Sequence, residues 1–268
     1  MSNYKYFWSL DGSEHSVEMV QVEGTHGRPF LFGECEEKRA IEIQNFFMAT
    51  VPVTQALWTH VLGVGTNPSH FRGDHRPVEN VSWHDVTGAD GFLCRINASG
   101  MAAEMAREMG VAGACIRLPT ETEWEYAARG GPHWTEGFQF SGSDDAEAVA
   151  WHDRNSGGPR ESAFWERRPR SNRLLGTETH DVALKRPNQL GIYDMSGNVW
   201  EWCQDCFTCD TSSIPSDGSP FVGNCAEHVL RGGCHHNQAI HCTVSKRYQI
   251  VAEHRDECVG FRLALSSQ

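Results

Sequence analysis

Gly191-Ile-Tyr-Asp-Met-Ser-Gly-Asn-Val-Trp-Glu-Trp-Cys-Gln-Asp205 alternates small turn formers with large aromatic side chains. Asp194-Met-Ser-Gly197 reads as a tight turn, because an Asp side chain caps its own turn and Gly accepts positive φ. Val199-Trp-Glu-Trp202 then begins a strand. Two readings of the stretch stay open. It is a plain turn carrying buried tryptophans, or it is a cation site. In the second, the Asp194 and Glu201 carboxylates and the carbonyls near Gly197 and Val199 converge on one hard ion, since Ca²⁺ takes about six to eight oxygens.

The composition sets the limits. A chain of 268 residues suits one large domain or two modest ones. Its 26 glycines and nine tryptophans, with 39% hydrophobic residues, point to turns around aromatic packing more than to long helices. No run approaches the ~20 apolar residues of a membrane span. The first residues, MSNYKYFWSLDGSE, lack a basic start followed by an apolar block, so no signal peptide and a cytoplasmic location are expected. A net charge of −12 argues against nucleic acid as a partner. The ten cysteines are scattered, unlike those of a small disulfide scaffold, and most are expected as reduced thiols.

Residues 1–50 read as strands: Val17–Val22 alternates, Pro29–Gly33 is a short apolar run, and Ala40–Phe47 alternates again. From Pro52 the period changes to a helix capped by Thr54, with Ala56, Leu57, Val61 and Leu62 on one face. A second helix is expected from Ser82 or Asp85 through Phe92 and Leu93 to about Ala106, with Gly100 as an interruption. Thr120 with Glu123 forms a capping box, and Gly130 is placed to stop that helix. Its carboxylates Glu121, Glu123 and Glu125 suit a capped surface helix better than acid–base chemistry.

The segments PVTQALW, NPSHF, PVENVSW, RLPTETEWEYAARGG and GIYDMSGNVWEW, then VLRGG and VGFRL, run over nearly the whole chain. Together they resemble the formylglycine-generating-enzyme (sulfatase-modifying-factor) family. The resemblance implies one α+β domain over 1–268, a C-type-lectin-like fold, loop-rich with few helices and antiparallel strands. It also implies a structural calcium held by the side chains of Asp194 and Glu201 and the carbonyls of Gly197 and Val199. Residues 159–178 look like an insertion, rich in arginine (Arg160, Arg167, Arg168, Arg170, Arg173) beside Phe164 and Trp165.

Two cysteine groups bear on chemistry. Cys203, Cys206 and Cys209, with Cys225 further on, are compatible with zinc or a disulfide. In the family's oxidases a copper-binding pair of cysteines follows the Gly-Gly step; by match those positions are Asn237 and Cys242. One cysteine cannot supply a Cu(I) thiolate pair, so copper is not expected, and Cys242 would be catalytic only if the chain were an oxidase. Residues 234–258 resemble instead the variable region of proteins diversified by retroelements. That likeness places ligand-binding positions at His235, His236, Asn237, Ile240, His241, Tyr248, Ile250, Val251, His254, Asp256 and Cys258. The expected function is display of a protein- or macromolecule-binding surface, with these residues facing solvent as one patch. An oxidase or other metalloenzyme of the same family is the rival.

Overall fold

The computed structural model describes residues 3–33, 38–111, 113–157, 176–223 and 225–267. Most of the insertion expected at 159–178 lies outside the described residues. The chain opens with β1 (Asn3–Leu10) and β2 (Ser13–Val22), closed by a two-residue Asp11-Gly12 turn with φ of 49° and 81°. Two positive φ values at a hairpin tip match the right-handed strand twist, which is why Asp-Gly suits it. Then come β3 (Phe30–Phe32), β4 (Arg39–Ile41), β5 (Phe46–Ala49), α1 (Gln55–Leu62), α2 (Trp83–Thr87), α3 (Phe92–Ala98) and α4 (Met101–Glu108). The second half carries β6 (Ala114–Arg117), α5 (Glu121–Ala128), α6 (Ala146–Val149), β7 (Trp200–Cys206), β8 (Glu227–Arg231), β9 (Arg247–Val251), β10 (Val259–Phe261) and β11 (Ala264–Ser267).

One antiparallel sheet runs β1-β2-β5-β11-β6, so the last strand inserts between early ones. A second sheet runs β10-β7-β8-β9, with β10 parallel to β7 and β9 at its edge. Helices α1 and α3 cover one core, where Trp58 stacks on Phe92 at 5.5 Å and Phe261 meets both edge-on. A second core gathers Phe30, Phe32, Trp124, Tyr126, Ile192 and Val229 around α5.

Thr54 caps α1 as expected, accepting from Leu57 N, and Thr120 with Glu123 closes the capping box of α5. Three local expectations need correction. The alternating run Ala40–Phe47 is two strands in different sheets, because Ile43 instead exchanges hydrogen bonds with Thr25 and Glu42 N donates to Ser216 O. The second long helix is three short ones, broken at Gly88–Gly91 and again at Gly100, whose φ is 86°. Helix α5 is buried throughout rather than a surface helix. Its acids are neutralised by arginines: Arg117 takes both oxygens of Glu123 at 2.7 Å, Arg247 both of Glu121, and Arg231 reaches Glu121 and Glu125.

A fully enclosed ion pair anchors the Gly191–Asp205 stretch. Arg262 Nε and Nη2 donate to Glu201 Oε2 and Oε1, each at 2.7 Å, with both side chains wholly buried. Trp124 Nε1 adds a third donor to Glu201 at 2.6 Å. Arg262 also donates to Ala49 O at 3.0 Å and Tyr193 O at 2.9 Å, joining β5, β7 and the turn. Breaking such a pair strands a charge in low dielectric and costs about 3–5 kcal/mol. Arg262→Leu is therefore expected to lower the melting temperature by about 10 °C in thermal denaturation. Arg255→Ala, which cuts an exposed bidentate pair with Asp85, should shift stability by less than about 1 kcal/mol.

Candidate functional site

The turn Asp194–Gly197 forms as read, with Asp194, Gly197 and Asn198 at φ of 56°, 79° and 65°. Gly197 passes so close to Trp151 that a Cβ there would lie 2.0 Å from its carbonyl oxygen. From this turn Gly197 N donates to Gly232 O at 2.8 Å, and Asn198 O accepts from His235 N at 2.9 Å. The two bonds fix the start of the 234–258 segment. Gly233, at φ 75°, lies under Cys242, where a Cβ would be 2.6 Å from Sγ. The far end is fixed by Trp200 N donating to Cys258 O at 2.7 Å.

Between these anchors the expected binding residues divide. Ile240 (58% exposed), Tyr248 (47%) and Val251 (43%) present apolar surface to solvent. His241 is exposed as well and, with Ile240, Phe138, Arg129 and Lys246, borders a groove of about 330 Å³. Tyr248 stacks on Trp200 at 5.5 Å, and half-buried Ile250 packs against the same core. His254 and Asp256 are half-buried and face one another at 3.8 Å.

Four positions depart from a single solvent-facing patch. His235 is buried, edge-on to Phe71 at 5.3 Å, and burial followed by the His236 charge pushes its pKa down to about 3. Cys258 is buried too, its Sγ 2.8 Å from His236 Nδ1 and 3.4 Å from His235 Nε2. Asn237 acts as a turn cap, its Oδ1 accepting from Cys234 N at 3.1 Å while Asp153 N donates to its carbonyl at 2.9 Å. Val251 points to the opposite sheet face from Tyr248 and Ile250, because side chains alternate along β9.

The structure also joins residues that no local spacing connects. Sγ of Cys234, Sγ of Cys258 and a ring nitrogen of His236 all lie within 4.8 Å of one another. Burial raises the Cys234 thiol, but hydrogen bonds to Cys258 and His236 outweigh it and lower the pKa to about 6. Cys258 moves the other way, up with burial and with its partner's charge. Cys242 is elsewhere, buried against Phe140 and Val149, where burial holds its thiol well above the usual range. Among the other cysteines, Cys206 is bonded to Cys225, Cys203 is in the core and Cys209 is exposed, so these four do not converge as zinc ligands.

The calcium donor set fits in part. Asp194 Oδ2 accepts from Ala183 N at 2.8 Å, but its Oδ1 meets only Asn198 Nδ2 at 3.5 Å. Burial raises the Asp194 pKa to about 6, because taking a carboxylate out of water disfavours its charged form. Glu201, by contrast, is held on both oxygens by Arg262 and on one by Trp124.

Residues 12–267 match the sulfatase-modifying factor enzyme 1-like domain. The chain belongs to this family. Within it, the chaperone protein LppX of Paenibacillus barcinonensis is 33% identical over 208 residues, covering 70% of this chain and 71% of that protein. The formylglycine-generating enzyme of Streptomyces coelicolor is 31% identical over 224 residues, 77% of this chain but 60% of the enzyme. Treponema denticola variable protein 1 superposes with a TM-score of 0.70 at 25% identity, over 97% of this chain and 98% of that one. The α+β architecture is thus the C-type-lectin-like fold of the sulfatase-modifying factor family.

Glu79 lies beneath the site and is a residue that the motif PVENVSW gave no reason to single out. It is fully buried, Oε1 accepting from Phe71 N at 2.8 Å while Oε2 has no hydrogen-bond partner among the described residues. Burial raises its pKa to about 7. A raised acid stabilises the fold at pH below its unfolded value, near 4.5, and that contribution is lost as pH rises through 7. Glu79→Gln should therefore raise the melting temperature at pH 8 and change it little at pH 5. Melts across that range check the sign.

Proposed function

We propose that this chain is a ligand-binding protein of the family, presenting part of the 234–258 segment to a protein or other macromolecule. The observation that carries the reading is the placement of Ile240, Tyr248 and Val251. These are apolar and strongly exposed, while the flanking Arg231 and Arg262 are wholly buried. Apolar anchors among adaptable polar groups, carried on a rigid frame, are what recognition surfaces use. Likeness to a protein named as a variable protein supports the same reading.

An oxidase is disfavoured by the donor set. Asn237 offers an amide where the family's copper pair needs a thiolate, and it is engaged as a turn cap. Cys242 is a buried neutral thiol. The double variant Ile240→Ala, Tyr248→Ala should change stability by less than about 2 kcal/mol, the cost of one ring stack and one surface side chain. It should abolish capture of the partner that the wild-type chain recovers from an extract of its own cells. Undiminished capture by the variant sinks the reading. So does copper-dependent oxidation of a cysteine in a sulfatase-type peptide that disappears on Cys242→Ser.

Calcium enters this reading as a structural ion at Asp194, Glu201 and the carbonyls of Gly197 and Val199. Asp194 and Glu201 are two buried acids beside one buried arginine, Arg262, and a dication would offset the remaining charge. Chelation with EGTA is then expected to lower the melting temperature and added calcium to restore it, with a gain in stability of about 3 kcal/mol at a hundredfold excess over Kd. Asp194→Asn should remove the response. An unmoved melt would leave the Glu201–Arg262 pair standing alone.

A further inference from the structure

Cys234 and Cys258 sit at the two ends of the 234–258 segment, and the fold brings their sulfurs together with His236. Cys234 directly follows Gly233, whose tight approach to Cys242 sets the direction of the chain. Cys258 directly precedes β10, held by its carbonyl to Trp200. Asn237 Oδ1 accepts from Cys234 Sγ at 3.2 Å and helps to orient it. Both sulfurs are buried, whereas His236 is half-exposed, so the group has a floor of thiols and a doorway of imidazole. The three donors are separate from the position pair 237 and 242 at which the family's copper site falls.

We propose that Cys234, His236 and Cys258 form a zinc site, with Sγ, Nδ1 and Sγ as ligands and one tetrahedral position left open. The donor chemistry selects the ion. Two thiolates and an imidazole suit zinc and disfavour the hard, oxygen-seeking cations. Tetrahedral zinc with bonds of ~2.3 Å to sulfur and ~2.0 Å to nitrogen separates neighbouring S and N donors by roughly 3.5 Å. The observed Sγ–Nδ1 distance of 2.8 Å and the common limit of 4.8 Å bracket that value, so small side-chain rotations assemble the set.

Charge favours it also. Zn²⁺ with two thiolates is neutral, which a buried pocket tolerates far better than a lone ion. Binding expels two protons to solvent, one from the Cys258 thiol and the one that Cys234 and His236 share. The imidazole keeps its proton on Nε2, leaving the Nδ1 lone pair for the metal. This inference is independent of the ligand-display reading.

Cobalt(II) is the probe, added to the reduced full-length chain and then displaced by zinc. One equivalent should give a thiolate-to-cobalt charge-transfer band that zinc removes. Cys258→Ser should abolish the band, and His236→Ala, a half-exposed position whose loss spares the core, should weaken zinc at least about tenfold. Reduction also frees Cys206 and Cys225 beside His228, a second group of possible ligands. His228→Ala and Cys225→Ser should therefore leave the band unchanged, as should Cys209→Ser at an exposed thiol. Melting each variant separates unfolding from ligand loss. A folded wild-type chain without the band overturns the proposal, and so does a band that survives both Cys258→Ser and His236→Ala. A Cys234–Cys258 disulfide that persists under reductant overturns it as well.

Discussion

Buried guanidinium–carboxylate pairing is the constraint on which the rest of this structure depends. Arg262 and Arg231 are wholly enclosed, and each is shared among elements distant in sequence. Arg262 reaches Glu201 on β7, Ala49 at the end of β5 and Tyr193 before the turn. Arg231 reaches α5 and the carbonyls of Val244 and Ser245. A hydrophobic contact accepts many arrangements of its partners, whereas a buried ion accepts only those that satisfy every donor. The loop-rich chain has little regular secondary structure to fix its path, and these ions supply the missing specification.

The same ions explain which parts of the molecule were legible in the sequence. Caps and tight turns are local chemistry, so Thr54, Thr120 with Glu123, and the Asp194–Gly197 turn were readable directly. Burial of α5 was not, because Glu121, Glu123 and Glu125 look like surface acids until the arginines that meet them are known. Arg231 and Arg247 lie more than a hundred residues away in the chain. The split of Ala40–Phe47 was hidden for a related reason: alternation marks extended backbone but not the sheet it joins. At the site, the resemblance to a variable region located the exposed Ile240 and Tyr248 but treated His235 and Cys258 as their equals. Phe71 packs edge-on against His235 and Trp200 N holds the Cys258 carbonyl, and the fold brings both in from outside the segment.

The family's fold separates the work of holding from the work of meeting solvent. The turn, the Gly232-Gly233 step and the end of β10 are bound through backbone amides and carbonyls, and the side chains there are buried. Between them the chain is exposed at some positions and enclosed at others, with the histidine and cysteine groups forming the enclosed part. A surface built this way has a firm floor under an exposed rim. Family membership by itself does not specify which chemistry uses it.

Strand β9 is joined to the body on one side only, through the ladder it forms with β8 from Glu227↔Val251 to Arg231↔Arg247. The atoms of that ladder are main-chain atoms, common to every amino acid except proline. The hydrogen bonds at the margin of the sheet are thus the same whichever side chains the margin carries, and the contacts of Arg247 with Glu121 and of Tyr248 with Trp200 are added to them. An exposed side chain such as that of Val251 can therefore be exchanged while every hydrogen bond of the ladder stays in place.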